Sequence, residues 1–276
     1  MVAFFDLKEI YLKLISIVFN MKSNFIGIFL FMIPLTVLGQ TDQKKEINQQ
    51  VQTWLSLNTV TRFADKWAVV GDFHIRRTDF AADPSFYFLR GGFTYFVNSN
   101  LSLTGGYAHM WLAPTNPDWH NFSDENRIYQ QAQFNTKVGK VHVLQRLRNE
   151  QRWQEKMAND QPTGDWRFTN RIRYLMSFTF PISDKESWPM MVLSDEILMQ
   201  FGEEAVYNTF DQNRFFIGIK KTINPKWSFD FGYMNVYQQK YSGYQYDMNH
   251  TIRLFFYLNT RIRKEPIPTI ENSGDE

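Results

Sequence analysis

"QRLRNEQRW", residues 145–153, sets Arg146, Arg148, Glu150 and Arg152 two apart, with Leu147, Asn149, Gln151 and Trp153 between them. Two is the period of a β-strand, whose successive side chains point to opposite faces. One face of this strand would then be a ladder of charges. A helical reading also exists, because Arg146–Glu150 is a favourable i,i+4 pair. The lead-in "KVHVL" at 140–144 argues against it, with β-branched alternation and no residue to cap a helix.

The same alternation recurs outward from this stretch. Trp67, Val69, Phe73 and Ile75 alternate with Ala68, Asp72, His74 and Arg76, and Tyr87, Leu89 and Phe93 alternate with Phe88, Arg90 and Thr94. Phe168, Ile172, Tyr174 and Phe178 oppose Arg167, Thr169, Arg171, Arg173 and Ser177. Phe215, Ile217 and Ile219 oppose Arg214 and Lys220. Phe229, Phe231 and Tyr233 oppose Asp230 and Gly232, and Ile252, Leu254 and Phe256 oppose Arg253. With weaker runs at 51–61, 101–111, 126–136, 141–153 and 190–201, the chain holds eleven candidate strands. Each is long enough to cross a bilayer when tilted.

Composition fits strands of this kind. Aromatic residues make up 17% of the chain, yet the mean hydropathy is −0.40. Alternation explains the pair of values, since each apolar residue is averaged with a polar neighbour. A net charge of +2 gives no polycation for a nucleic-acid partner. The absence of cysteine excludes disulfides, thiolate metal sites and a lipoprotein anchor.

The N-terminus reads as an address. In "MKSNFIGIFLFMIPLTVLGQ", residues 21–40, Lys22 precedes an apolar run from Phe25 to Val37, and Val37-Leu38-Gly39 offers a cleavage site before Gln40. Met21 thus begins a complete signal peptide, and residues 1–20 read as an extension of the gene model. A polar segment at 40–50, a barrel at 51–260 and a polar tail at 261–276 complete the expected organisation.

Short links at 62–66, 98–100, 137–140 and 224–226 alternate with longer polar ones at 78–85, 112–125, 154–166, 202–212 and 240–247. Residues 181–189 break the pattern. Short turns at one end and long loops at the other belong to an outer-membrane barrel. Trp67, Tyr95, Trp111, Trp153, Trp227 and Tyr237 fall at strand ends, where interfacial girdles sit. A soluble sandwich also alternates, but its strands are shorter. The expected fold is therefore an all-β, antiparallel transmembrane β-barrel. Because bacterial barrels usually have an even strand count, twelve strands are expected, with ten as the alternative.

Sorting the charges by face places Arg76, Arg90, Arg146, Arg148, Glu150, Arg152, Arg167, Arg171, Arg173, Glu196, Arg214 and Arg253 opposite the apolar residues, with Asp72 and Asp230. A charge facing lipid at the midplane costs about 2–4 kcal/mol, so these residues are expected to line the lumen. Asp195 is the exception, outward beside Leu193 and Ile197. An arginine-rich interior either fills a structural barrel or lines a path for small anionic solutes.

Other chemistry is weakly signalled. A lipid-modifying enzyme would need a histidine beside a hydroxyl, and His74, His109, His120, His142 and His250 lie in no Ser/His motif. "PDWHNFSDEN" at 117–126 groups Asp118, His120, Asp124 and Glu125 in a loop, a weak pattern for Ca²⁺. No catalytic residue, cofactor or metal is therefore assigned. A binding module presenting loops 112–125 and 154–166 is a further alternative.

"ENRIYQQ" (125–131), "RLRNEQRW" (146–153), "NRIRYLMSFTFPI" (170–182), "LSDEILMQFG" (193–202), "FDQNRFFIGI" (210–219), "FGYMNVYQQ" (231–239) and "MNHTIRLFF" (248–256), in this order, resemble a Bacteroidetes-type family of outer-membrane β-barrel proteins classed as a domain of unknown function. The resemblance covers about residues 41–260. It implies an outer-membrane barrel and no particular activity. Its implied partners are outer-membrane lipid, lipopolysaccharide and the barrel-insertion machinery. Phe255, Phe256 and Tyr257 are not terminal, unlike the closing aromatic that this machinery recognises.

Overall fold

The computed structural model describes residues 44–114, 116–185 and 187–262. The leader expected within 1–39 and most of the polar tail lie outside these residues. Eleven strands follow one another: β1 Glu46–Arg62, β2 Trp67–Thr78, β3 Asp83–Phe96, β4 Leu101–Leu112, β5 Ser123–Val138, β6 Val141–Ala158, β7 Gln161–Pro181, β8 Met190–Phe201, β9 Phe210–Thr222, β10 Trp227–Gln239 and β11 Gln245–Arg261. Each pairs antiparallel with the next, and β1 pairs with β11 to close the barrel. Strands of 12 to 21 residues exceed the soluble norm of about 5–6.

The expected count of twelve, or ten, is corrected to eleven among the described residues. An up-and-down meander with an odd number of strands ends parallel to its start. β1 and β11 pair in parallel, from Glu46↔Gln245 to Arg62↔Arg261. Asn58 Nδ2 donates to the Phe256 carbonyl at 3.1 Å, and the Thr61 and Thr260 hydroxyls meet at 2.8 Å across this seam. Parallel closure removes the need for a further strand. Residues 46–50, expected to lie before the barrel, are instead the first part of β1.

The 154–166 loop is also corrected. β6 and β7 run on as a hairpin to a two-residue turn at Asn159–Asp160, both with positive φ (50° and 59°). Adjacent left-handed residues make the tight turn that suits the strand twist, and Asn and Asp tolerate this conformation. The Asp160 carboxylate accepts the His120 and Asn121 backbone N–H groups at 3.0 and 2.8 Å. The hairpin tip thereby ties down the 113–122 loop. At its flank, Lys156 binds Glu204 at 2.9 Å. That hydrogen bond holds the Glu204 carboxyl below the usual carboxylate range.

The alternation sorts the barrel into two surfaces. Val69, Phe73, Leu89, Phe93, Leu147, Ile172, Phe215 and Phe231 are exposed on the outside. Trp67 and Trp227 open β2 and β10 at one end, and Trp111 and Trp153 stand toward the other. Two glycine pairs, Gly92↔Gly106 and Gly218↔Gly232, let neighbouring strands approach closely. A Cβ on Gly106 would meet the Gly91 carbonyl at 2.2 Å and the Tyr129 ring at 2.8 Å. The missing side chains make room for Tyr129 and, on the other side, for Phe216.

Candidate functional site

The barrel encloses a cavity of about 1450 Å³. Residues near both strand ends line it, from Gln50, Tyr241 and Met157 at one end to Asn58, Thr94, Thr179 and Asn259 at the other. Arg76, Arg90, Arg146, Arg148, Arg152, Arg171, Arg173, Glu196, Arg214 and Arg253 all border it. Glu150 lies beneath them, 2% exposed, at the centre of their ion pairs.

One wall of the lumen, formed by β5 to β8 with the start of β9, is an ionic lattice. Glu125 accepts Arg127 Nε at 2.5 Å and Arg152 Nε at 2.7 Å. Glu150 accepts Arg171 Nε at 2.9 Å on one oxygen and Arg173 Nη1 at 2.9 Å on the other. Glu196 accepts Arg173 Nε at 3.0 Å and Arg146 Nη2 at 2.7 Å, with Arg214 Nη1 at 3.5 Å. Arg148 reaches Gln131 at 2.9 Å, and Arg152 also faces Gln200 at 3.4 Å. The links run between neighbouring and next-neighbour strands, so the lattice braces the wall across its ladders. Charged hydrogen bonds of this kind satisfy ions that burial would otherwise penalise.

Sequence reasoning missed three members. Glu125 and Arg127 sit two apart in "ENRIYQQ" with Ile128 facing out, the same signal as 145–153. Asp211 lacked such a signal, because the alternation slips there. A β-bulge, where Leu198↔Gln212 is followed by Met199↔Phe210, leaves Asp211 as an extra residue. Asp211 turns inward and accepts Arg171 Nη1 at 2.8 Å. The slip is visible as Phe210 and Phe215 at odd separation, both on the outer face.

The rest of the lumen lining, from β8 round to β4, is largely apolar. Trp54, Val192, Phe216, Met234 and Val236 form one cluster with Phe255 against it, and Phe88, Ala108 and Met110 form another with Phe86 and Leu112. Cations on this side lie against rings. Arg76 stacks on Trp54 at 3.2 Å and near Phe86 at 4.4 Å, while Arg253 lies 4.1 Å from Phe216 and 4.2 Å from Phe255. Tyr129 stands between Arg90 and Arg148, at 5.2 and 5.1 Å. Arg90 also pairs with Asp72, and Arg253 with Asp230 at 3.3 Å.

Asp195 faces outward. Asn213 Nδ2 donates to it at 2.8 Å, and the bulge lies too far along the strand to turn it in. Asn149 and Gln151 are outward as well, and both bond Gln130, at 3.1 Å. The loop grouping at 117–126 is dispersed: Glu125 is inside, Asp124 stands 3.5 Å from His109, and His120 stands 3.9 Å from Asp160. His250 meets the Tyr233 hydroxyl at 2.7 Å on the outer face, whereas Asn249 points inward. Among the described residues no Ser or Thr hydroxyl is bonded to a histidine ring.

A closed, mostly antiparallel barrel with an ionic lattice inside and apolar side chains outside defines the class of protein. Residues 51–263 match the family described as a protein of unknown function, DUF2490, and the chain belongs to that family. No curated protein and no solved structure matches it.

Proposed function

We propose that the chain is a non-catalytic outer-membrane β-barrel, exported through the leader at 21–39, whose lumen admits small anionic solutes. The observation that carries this reading is the lumen: one cavity bordered by residues of both strand ends, with more arginines than carboxylates. Against Arg76, Arg90, Arg127, Arg146, Arg148, Arg152, Arg171, Arg173, Arg214 and Arg253 stand Asp72, Glu125, Glu150, Glu196, Asp211 and Asp230. Fixed positive charge around a water-filled path favours anions and repels cations. The apolar outer face and the end-set tryptophans support a bilayer setting. Outer-membrane lipid, lipopolysaccharide and the insertion machinery are the partners of that setting.

A second reading, a closed structural barrel, draws on the density of the ionic wall. Planar-bilayer recording separates the two. Steady conductance with reversal potentials shifted toward the anion is the expected result. Silence from a folded, inserted protein supports the structural barrel, and a soluble monomer recovered from the periplasm overturns both.

A further inference from the structure

Of the ten lumen arginines named above, Arg76 alone has no side-chain hydrogen-bond or ion-pair partner among the described residues. Arg127, Arg146, Arg148, Arg152, Arg171 and Arg173 are held within the lattice, and Arg90, Arg214 and Arg253 each have an acceptor oxygen. Arg76 has only ring faces, and its Nε is buried without an acceptor. Arg214 lies over the same Trp54 ring at 5.3 Å. Two guanidinium groups thus share one indole, and Glu196, on the facing side of the lumen, is already bonded to Arg146 and Arg173. Beside them His74 is 7% exposed, borders the cavity, and has no partner at either ring nitrogen.

The neighbourhood specifies more than charge. Trp54, Arg76 and Phe86 occupy one row across β1, β2 and β3, and His74, Phe88 and Met110 occupy the next across β2, β3 and β4. An unpaired cation therefore stands at the edge of a continuous apolar surface. A ligand suited to it has an acceptor-only head and an apolar body. Cation–π contact offsets only part of the unmet hydrogen bonding of Arg76. A carboxylate would satisfy the planar fork far better, through paired N–H···O bonds.

We propose that this seam binds a small amphiphilic monoanion, a carboxylate on an apolar body, with its head on Arg76 and Arg214 and its body against Phe86, Phe88 and Met110. The inference rests on the lumen being open to solute.

The test is calorimetric titration of the whole barrel in detergent with benzoate and, for the head alone, acetate. Benzoate is expected to bind at least tenfold more tightly than acetate. Arg76→Gln should weaken benzoate at least tenfold, Arg76→Lys should recover part of it, and Lys140→Gln should leave it unchanged. Heat-modifiable migration on gels checks that each variant is folded. Benzoate binding indifferent to Arg76→Gln, or acetate binding as tightly, overturns the proposal. Because the chain has no cysteine, Ser194→Cys reports lumen access through its reaction with a small anionic thiosulfonate. Labelling without benzoate binding sinks the site and leaves the open lumen standing, whereas absence of labelling removes both.

Discussion

The braced wall and the corner around Arg76 handle buried arginine in different ways. On β5 to β8, side-chain carboxylates are supplied in place, and each one is shared by at least two guanidinium groups. On β1 to β3, Arg76 is left against Trp54 and Phe86. A paired charge is fixed in geometry by its partner, while a stacked one keeps its N–H groups available. The first arrangement suits a brace and the second suits recognition.

Removing a carboxylate from the braced wall should have the largest effect. Glu150→Ala leaves Arg171 and Arg173 short of acceptors, and loss of one member of a buried pair costs about 3–5 kcal/mol. Urea unfolding in micelles measures it. Arg76→Gln, by contrast, should cost at most about 2 kcal/mol, the scale of a largely desolvated cation–π contact. Equal costs would erase the distinction between the two. Gly106→Val tests the backbone beneath them. With the Gly91 carbonyl and Tyr129 in the way, overpacking should destabilise by about 1–3 kcal/mol.

Asn159→Ala should cost about 1–2 kcal/mol locally, because alanine at positive φ is strained. Faster proteolysis at the hairpin tip would report it. The smallest effect concerns pH. The Glu204 carboxyl, lowered by Lys156, contributes fully above the ordinary carboxylate pKa, and the contribution is lost as pH falls through its lower folded value. Hydrogen exchange at 202–209, corrected for intrinsic pH dependence, should quicken on acidification. Lys156→Gln should abolish that pH response.

Much of the braced wall can be read directly from period-two spacing, because a lipid-facing charge is expensive and alternation leaves a single alternative face. Arg146, Arg148, Glu150 and Arg152 followed from that logic alone. Asp211 did not, since a bulge adds a residue without altering composition. The hairpin tip at Asn159–Asp160 was hidden by polar flanks that look like loop. Strand parity misled for a different reason: the even-count expectation is a regularity of other barrels, and backbone pairing does not impose it. The Arg76 seam could not be read from one strand, since Trp54, Arg76 and Phe86 meet only through cross-strand register.

The parallel seam also fixes the sidedness of the strand ends. Glu46 pairs at the same rim as Gln245, and Arg261 pairs at the same rim as Arg62. The first strand therefore starts at one mouth and the last finishes at the other. In an even barrel both would open on the same compartment. In the proposed membrane setting, an epitope just ahead of Glu46 and one just after Arg261 would be displayed on opposite faces. One of those two flanks must then be threaded through the bilayer during assembly.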